Sequence, residues 1–402
     1  HREGVSVTLA QGGGTAVKLL IFLDELYFRR ADGSYWSPSN AGRFLLGLVE
    51  RHDLVFAVPT AHALREGGRA ATLIPPTTPV VPLPEWRSLA GYARRYWTYN
   101  REVESQLLST IRSVDAVWLR LPSLAGLGVA RLAEEYCVPL LLHIAGDVRY
   151  AYKAAKYKGL IRPIAAFAGF YIHQRMKLLA CRPGRHVLCT GQALLDTFRQ
   201  QNAYLFLDSE VEPDDSVPQR VRARRFLFVG RLLESKGILV LLDAWRQVRG
   251  DLELHVVGYG EREGEMVRCA TADPRIHYHG FLHGEALAEV YRRCDILLMP
   301  TTTYPEGFPR VIGEAWAFGL AVISSNVGGI RGIGKDRENI WFVRPGSVED
   351  LTRAVTELSR NEELYRALSR NGYKTSAELS NGRMIALVDA ILEQIKRDSS
   401  GR

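Results

Sequence analysis

The sequence predicts an α/β protein of two domains, each built on a doubly wound parallel sheet. Through both halves of the 402-residue chain, short apolar runs alternate with longer stretches of helical spacing, which is the pattern of βαβ units. The alternation breaks at an acidic, proline-containing stretch, 209–218, and then begins again. Because such stretches separate domains, we predict a first domain over 1–208, a linker over 209–224 and a second domain over 225–380.

Five apolar runs in the first half predict its strands. They cover residues 17–23, 54–58, 114–119, 138–143 and 186–189. The intervals between them leave room for helices, as βαβ units require. The proline-rich segment 74–84 interrupts the pattern, and we predict a loop there.

Six apolar runs predict the strands of the second half. They cover residues 225–229, 252–257, 276–279, 296–299, 321–325 and 340–343. Helical spacing then covers 351–368 and 384–395. We therefore expect a second doubly wound sheet, followed by helices towards the end of the chain.

Composition and cysteine usage limit the class of protein. The chain is 47% hydrophobic and 24% charged, as ordinary globular proteins are. It has no apolar run near the ~18 residues that a membrane-spanning helix needs, and residues 1–14 lack the pattern of a signal peptide. Its five cysteines are scattered and include no C-x-x-C pair. This argues against a disulfide framework and for a reducing compartment, so we expect a cytoplasmic protein.

Two glutamates, Glu306 and Glu314, lie eight positions apart in the second half. The predicted strand 296–299 ends just before them, and 311–318 predicts a helix that Gly319 ends. Ligands of open parallel sheets bind outside the carboxyl ends of the strands. We therefore expect Glu306 in a loop over a ligand and Glu314 in the first turns of the helix behind it. Taken singly, Glu306 is better explained as a residue that solvates a loop, and Glu314 as one that favours a helix N-terminus.

A second motif follows the first strand of the second half. Residues 229–237 read VGRLLESKG and precede a predicted helix. Glycine permits tight turns, and a helix N-terminus offers backbone N–H groups and a positive dipole end to an anion. Arg231 and Lys236 add two cations, which suit a diphosphate both when it binds and when it leaves with more negative charge. The alternative is a solvated turn with surface cations.

These two motifs together resemble the donor site of family 4 retaining glycosyltransferases, which have the GT-B fold. Residues 304–319 read YPEGFPRVIGEAWAFG, and the usual family motif is E-G-F-G-x-x-x-x-E-A-M-A-x-G-x-P. Pro309 replaces a glycine and Trp316 replaces the methionine. The two glutamates, Gly307 and Phe308 keep the family's identities. The glycine-and-cation motif after the first strand matches the family's phosphate-binding element.

The resemblance implies a retaining, metal-independent glycosyltransferase that moves a sugar from a nucleotide-diphospho-sugar to a hydroxyl acceptor. Glu306 would bind sugar hydroxyls and Glu314 the ribose. Arg231 and Lys236 would stabilise the departing diphosphate, so no metal or other cofactor is expected. The further substrate-binding residues that the resemblance implies are Gly230, Gly258, Phe281, Leu282, Gly307, Phe308, Pro309 and Arg310.

The family's fold implies an arrangement for the domains. In the GT-B fold, two Rossmann-like doubly wound domains face each other across a cleft. We therefore expect the acceptor on 1–208 and the nucleotide sugar on 225–380. By the same resemblance, 381–402 is expected to be a helix that crosses back to the first domain.

The histidines pose two separate questions. His143 ends the predicted strand 138–143, and family members often carry a histidine after the matching strand, which implies a catalytic role. The alternative for His143 is a strand-end residue packed in the core.

His277, His279 and His283 suggest a metal site, but a metal needs further ligands. We therefore predict that these three are structural or solvated histidines.

The net charge of +8 is concentrated in residues 149–185. This stretch has no acidic residue and contains nine basic ones: Arg149, Lys153, Lys156, Lys158, Arg162, Arg175, Lys177, Arg182 and Arg185. The apolar and aromatic segment 163–172 lies among them, a pattern that suits a helix on an anionic membrane surface. We predict that it holds the protein peripherally on the inner face of a membrane, near a glycolipid or other anionic acceptor. The alternative is a core helix with solvated ends.

Two other functions fit parts of the sequence. A sugar-nucleotide epimerase has the same fold and ligand, but it needs an acid–base set that we do not recognise here. A basic non-catalytic module for membrane or nucleic acid would explain the charge alone. No nucleic-acid-binding motif accompanies that charge, so we expect no nucleic-acid partner.

Overall fold

The computed structural model describes residues 16–39, 41–62, 72–85, 89–149, 161–199, 202–207, 212–213, 222–302 and 308–400. The chain divides into two compact units, which we describe separately. The first comprises His1–Thr190, Leu194–Asp208 and Gly382–Arg402, and the second Gly191–Ala193 and Ser209–Asn381. Of the predicted linker 209–224, only 212–213 and 222–224 are described. No helix in the described part of the chain is long and apolar enough to span a membrane.

The first unit contains a sheet of ten strands within its described residues. They are β1 (Lys18–Phe22), β2 (Tyr27–Arg29), β3 (Tyr35–Ser37), β4 (Asp53–His62), β5 (Thr72–Ile74), β6 (Val80–Leu83), β7 (Ala116–Leu121), β8 (Leu140–Ile144), β9 (His186–Cys189) and β10 (Ala203–Leu205). Their order is β10-β9-β8-β7-β1-β4-β2-β3-β5, with β6 also paired to β4. The pairs β2–β3 and β3–β5 are antiparallel and the others are parallel.

The second unit contains a sheet of six strands within its described residues. They are β11 (Arg225–Val229), β12 (Glu253–Val257), β13 (Ile276–Tyr278), β14 (Ile296–Met299), β15 (Ala321–Ser325) and β16 (Trp341–Val343). All pairs are parallel, in the order β13-β12-β11-β14-β15-β16. The six predicted runs of this half are thus confirmed as strands.

The helices of both units follow the predicted alternation. They are α1 (Arg43–Leu46), α2 (Leu89–Arg94), α3 (Tyr96–Ile111), α4 (Leu124–Glu135), α5 (Ile161–Ala180), α6 (Gln192–Thr197), α7 (Ile238–Gln247), α8 (Glu263–Ala272), α9 (Gly284–Arg293), α10 (Arg310–Ala317), α11 (Val348–Arg360), α12 (Glu362–Glu378) and α13 (Asn381–Ser400). The helical stretch 351–368 is divided in two at Asn361, whose side chain accepts a hydrogen bond from the Leu364 N–H and caps α12.

One prediction for the first unit is wrong. Segment 74–84 was expected to be a loop, yet it contains β6 and the last residue of β5. Among the described strands β6 pairs only with β4, so it lies at an edge of the sheet. Proline is tolerated on an edge strand because its missing N–H has no partner to bond there. Pro82 therefore does not prevent a strand.

Strand β1 divides the core of the first unit into two layers. Leu20 and Phe22 pack with α3, α4 and α5 on one face of the sheet, and Leu19 and Ile21 pack on the other. All four side chains are fully buried. A strand that is covered on both faces needs an unbroken apolar run, which is why the sequence pattern identified β1.

The last helix, α13, completes the second layer of this core. Its Val388 and Leu392 are fully buried in the same cluster as the outer face of β1. Its Asp389 accepts a hydrogen bond from Arg51 at 2.8 Å and bonds the His52 ring at 3.0 Å. The end of the described chain is thus part of the first unit.

In the second unit, α10 and α12 meet at a glycine. Trp316 of α10 is fully buried, and its Nε1 donates a hydrogen bond to the Asn339 carbonyl at 3.1 Å. Gly372 of α12 lies against the indole, where an added Cβ would be 2.3 Å from Cδ1. The absence of a side chain at Gly372 therefore lets the two helices pack.

We predict that Gly372→Ala lowers the free energy of unfolding by about 1–3 kcal/mol, because the indole that it displaces is fixed by a hydrogen bond. The matched control is Gly264→Ala in α8, where the nearest atom to an added Cβ is Arg268 Nη1 at 3.7 Å. That change should stabilise by up to about 1 kcal/mol through helix propensity. Urea unfolding measures both, and equal midpoints for the two variants would contradict the packing argument.

Candidate functional site

The order in which the strands of the second unit follow one another reverses between β11 and β14. Counted from β11, its strand order is 3-2-1-4-5-6, and ligands of doubly wound sheets bind where the order reverses, outside the carboxyl ends of the strands. The loops that follow β11 and β14 flank this point. They touch each other, since the Thr302 N–H donates a hydrogen bond to the Ser235 carbonyl at 3.0 Å.

Two glycines allow these loops to approach closely. Gly237 has φ +79°, and a Cβ there would lie 1.8 Å from the Pro300 carbonyl oxygen. Gly258, just after β12, has φ +145°, and its Cβ would lie 1.8 Å from the Gly230 carbonyl oxygen. Any other residue would be strained at both positions and would separate the backbones. Gly230 and Gly258, both predicted from the sequence, therefore lie together.

The N-terminus of α7 meets the requirements of an anion site. Its N-cap is Gly237, and within the described residues no side chain caps it. The first N–H groups of a helix have no partner within the helix, and the dipole adds positive potential there. Arg231 is exposed in the preceding loop, and Lys236 ends the 3-10 turn Glu234–Lys236 that leads into α7. The structure thus places both predicted cations in the segment that leads to this N-terminus.

Glu314 lies in the second turn of α10 and is held by a tyrosine. The Tyr291 hydroxyl donates a hydrogen bond to Glu314 Oε2 at 2.8 Å. Tyr291 stacks on Phe318 with ring centroids 5.3 Å apart. Burial, reinforced by the neighbouring Glu314 carboxylate, raises the pKa of Tyr291 well above its ordinary value. Tyr291 therefore stays protonated and remains a donor to Glu314.

The other predicted residues of the two-glutamate motif begin the same helix. Pro309 is the N-cap of α10 and Arg310 its first residue. Phe308 is buried, with its ring 5.9 Å from that of Trp316. Glu306 and Gly307 lie outside the described residues.

Two exposed aromatic rings stand at the carboxyl ends of β12 and β13. Tyr259 is 51% exposed and Phe281 is 40% exposed, and their rings meet edge to face at 5.5 Å. Phe281 was predicted with Leu282, which follows it and is partly buried. Tyr259 was missed, although an aromatic residue between Gly258 and Gly260 was a usable signal.

Two buried hydroxyl groups were also missed. Thr301 and Ser325 are 1% and 0% exposed, and their hydroxyl oxygens have no hydrogen-bond partner in the described structure. They follow or end β14 and β15, which are neighbours at the carboxyl edge of the sheet. Both lie at the edge where ligands of doubly wound sheets bind.

His143 lies in the first unit, inside β8. It is 1% exposed, and its Nε2 is 3.0 Å from Thr190 Oγ1. Its ring meets those of Trp118 and Phe206 edge to face at 5.7 Å and 4.9 Å. These are the contacts of a core histidine, and the catalytic role stays a prediction.

Comparison with known proteins identifies relatives of part of the chain. Residues 214–375 match the family of glycosyl transferases group 1. An uncharacterized glycosyltransferase of Methanocaldococcus jannaschii is 28% identical over 171 residues, or 42% of this chain and 48% of the relative. The lipopolysaccharide 1,6-galactosyltransferase of Escherichia coli K12 is 26% identical over 226 residues, or 52% of this chain and 62% of the relative. The chain thus spans less than two thirds of the length of each relative.

The fold as a whole has a solved counterpart. Alr3699/HepE of Anabaena, crystallised in complex with UDP, superposes with a TM-score of 0.64 at 17% identity, over 96% of this chain and 100% of that protein. At that identity the likeness concerns the fold alone. The protein therefore has the GT-B fold of two Rossmann-like units, and its segment 214–375 matches the group 1 glycosyltransferases.

Proposed function

We propose that the protein is a retaining glycosyltransferase, of the family 4 type, that moves a sugar from a nucleotide-diphospho-sugar to a hydroxyl acceptor. The observation that carries the proposal is that an anion site and an oriented carboxylate both lie at the carboxyl ends of the second unit's strands. The anion site is the N-terminus of α7 with Arg231 and Lys236, and the carboxylate is Glu314. Anabaena HepE has also been crystallised with UDP-glucose, which supports a nucleotide sugar as the donor.

In the proposed complex the diphosphate lies at the N-terminus of α7. Backbone N–H groups there and the side chains of Arg231 and Lys236 bind its oxygens. Electrostatic groups fixed in advance favour the state in which most charge has developed, which is the departing nucleoside diphosphate. Since two cations already supply positive charge, we propose that transfer needs no metal ion.

The rest of the donor would extend along the same sheet edge. Glu314 accepts hydrogen bonds from ribose hydroxyls, because an ionised carboxylate can accept from several donors and Tyr291 already holds this one in place. The base stacks on the exposed rings of Tyr259 and Phe281, since every base has a face that stacks on aromatic groups. Glu306 binds hydroxyls of the transferred sugar.

The reaction that we propose retains the configuration of the sugar. The acceptor oxygen forms a bond to the anomeric carbon on the side from which the diphosphate leaves, while the bond from that carbon to the β-phosphate oxygen breaks. The acceptor proton passes to a phosphate oxygen of the leaving group. We assign no protein nucleophile, and we give His143 no step because it is buried in the core.

The acceptor is proposed to lie at an anionic membrane surface, on the evidence of α5. Five large apolar side chains of this helix are between 51% and 73% exposed: Ile164, Phe167, Phe170, Tyr171 and Leu178. Exposed apolar patches of this kind mark interaction sites. Arg175 and Lys177 are exposed on the same helix, and α5 has no acidic residue. Basic residues beside apolar ones suit the boundary between lipid headgroups and acyl chains.

Three of the basic residues near α5 already form ion pairs with carboxylates, so they are less available to an anionic membrane surface. Arg149 is paired with Asp147, and both Arg182 and Arg185 are paired with Glu134. Residues 150–160, with three of the nine basic positions, lie outside the described residues. The cations of α5 itself therefore carry the proposal.

We predict that Glu314→Ala weakens nucleotide binding and that Glu306→Ala mainly lowers turnover. A hydrogen bond to a charged group contributes about 1.5–3 kcal/mol, so each change should cost roughly tenfold to 100-fold. Calorimetry with UDP measures the first effect and steady-state kinetics the second. Tyr291→Phe should move the affinity in the same direction as Glu314→Ala, by a smaller amount.

The kinetic assays are made in excess EDTA, because the proposed site needs no metal. Turnover that appears only after Mg²⁺ or Mn²⁺ is added would contradict metal independence. Wild-type affinity and turnover in both glutamate variants would contradict the site itself. Glu285→Ala, an exposed change on α9, serves as the control and should change neither quantity.

We predict that the full chain co-sediments with vesicles that contain phosphatidylglycerol and that Phe167→Ser with Arg175→Gln reduces this several-fold. Each cation near such a surface contributes about 1 kcal/mol, and Phe167 is 73% exposed, so the change should not disturb folding. The matched control is Val267→Ser, which removes an apolar side chain that is 47% exposed on α8. Equal binding by both variants, or no binding by wild type at low salt, would refute this surface.

A further inference from the structure

The β13 edge of the second unit's described sheet carries a cluster of histidine and glutamate side chains that the proposed donor site does not use. Glu253 and His255 lie on β12, His277 on β13, and His279 directly after it. From the sequence we expected His277 and His279 to lack further ligands. The neighbouring strand β12 supplies two further ligands, Glu253 and His255.

The strand register explains why these side chains meet. His255 and His277 are opposite each other in the parallel pair β12–β13, and neighbouring strands are about 4.8 Å apart. Because side chains alternate with a period of two, Glu253 shares the face of His255, and His279 shares the face of His277. The ring centroid of His255 lies 4.8 Å from that of His277 and 5.3 Å from that of His279.

The spacing of the ligand atoms suits one small cation. One ligand atom from each of Glu253, His255 and His277 lies within 4.8 Å of the others. His255 Nε2 and Glu253 Oε2 are 3.4 Å apart. Two ligands at 2.0–2.1 Å from a tetrahedral Zn²⁺ are about 3.3 Å apart, so this pair already has the required separation. The ligand nitrogen of His277 lies within 4.8 Å of the other two atoms, and His277 is exposed, so burial does not fix its ring at this spacing.

His279 occupies the place of a supporting group. Its Nε2 is 3.0 Å from His255 Nδ1, so one ring donates to the other. When His255 Nδ1–H is the donor, His255 Nε2 keeps its lone pair on the side of Glu253. Histidines that bind metals commonly donate their second N–H in this way, which fixes the tautomer and the ring orientation.

Two arginines also face the cluster. Arg225 Nε is 3.9 Å from Glu253 Oε2, and Arg293 lies close enough to His279 to act on its charge. Both oppose a cation. The carboxylate of Glu253, whose side chain is 46% exposed, offsets part of this repulsion and can turn from Arg225 to a metal ion.

We propose that Glu253, His255 and His277 bind Zn²⁺, with water in the fourth position and His279 holding His255. Two imidazoles and one carboxylate form a ligand set that zinc uses in proteins. The ion ties the edge strand β13 to β12, so it stabilises the folded second unit. This site is separate from the proposed transfer reaction, which does not depend on it.

The test is a calorimetric titration of the full chain, freed of any affinity tag, with ZnCl₂. Wild type should bind one equivalent, and His277→Ala should bind at least tenfold more weakly. His279→Ala should lose about tenfold to 100-fold, as removal of a supporting group does. His283→Ala, an exposed histidine outside the cluster, should match wild type, and Arg225→Met should bind more tightly.

A second measurement covers the case in which a variant is less well folded. Co²⁺ in the same site should give the strong visible absorption of tetrahedral coordination in wild type and in His283→Ala, and not in Glu253→Gln. Zn²⁺ should raise the melting temperature of the same two proteins only. No saturable binding to wild type, or equal affinity in wild type and His277→Ala, would overturn the site whatever the outcome of the transferase assays.

Discussion

The donor edge of the second unit depends on backbone contacts that only glycine permits. At Gly237 and Gly258 the space for a Cβ is already taken by a carbonyl oxygen of a neighbouring loop. The loops after β11, β12 and β14 can therefore pack main chain to main chain. This close packing fixes the N-terminus of α7 beside the segment 300–302, and with it the place where an anion is favoured. The side chains of the site are therefore positioned by a backbone arrangement that these two glycines allow.

The Glu314 carboxylate is also oriented before any ligand binds. Glu314 does not rely on solvent for its orientation, because Tyr291 donates to it from a fully buried position. The cost of ordering this pair is met when the protein folds, so a ligand that binds Glu314 does not have to order it again. The hydroxyls of Thr301 and Ser325 differ from Glu314, because they are buried with no hydrogen-bond partner in the described structure.

The sequence was sufficient for features that depend on local pattern. Buried parallel strands such as β11 and β14 are unbroken apolar runs, and the Arg231–Lys236 motif is contiguous. It was not sufficient for contacts between separate segments. Tyr291 reaches Glu314 from 23 positions away, and His255 meets His277 only through the register of two strands. Strand β6 was not predicted because prolines in a sequence argue against a central strand, although an edge strand tolerates them.

The position of α13 has a consequence for how the protein is made. The core of the first unit includes Val388, Ile391 and Leu392, which the ribosome adds after all of the second unit. The strands at the start of the chain must therefore wait until α13 has been made before this layer of their core is complete. The described hydrophobic core cluster of the second unit lies within residues 223–368, so it can form while the first unit is still incomplete. The order of folding is thus expected to reverse the usual N-terminal-first sequence.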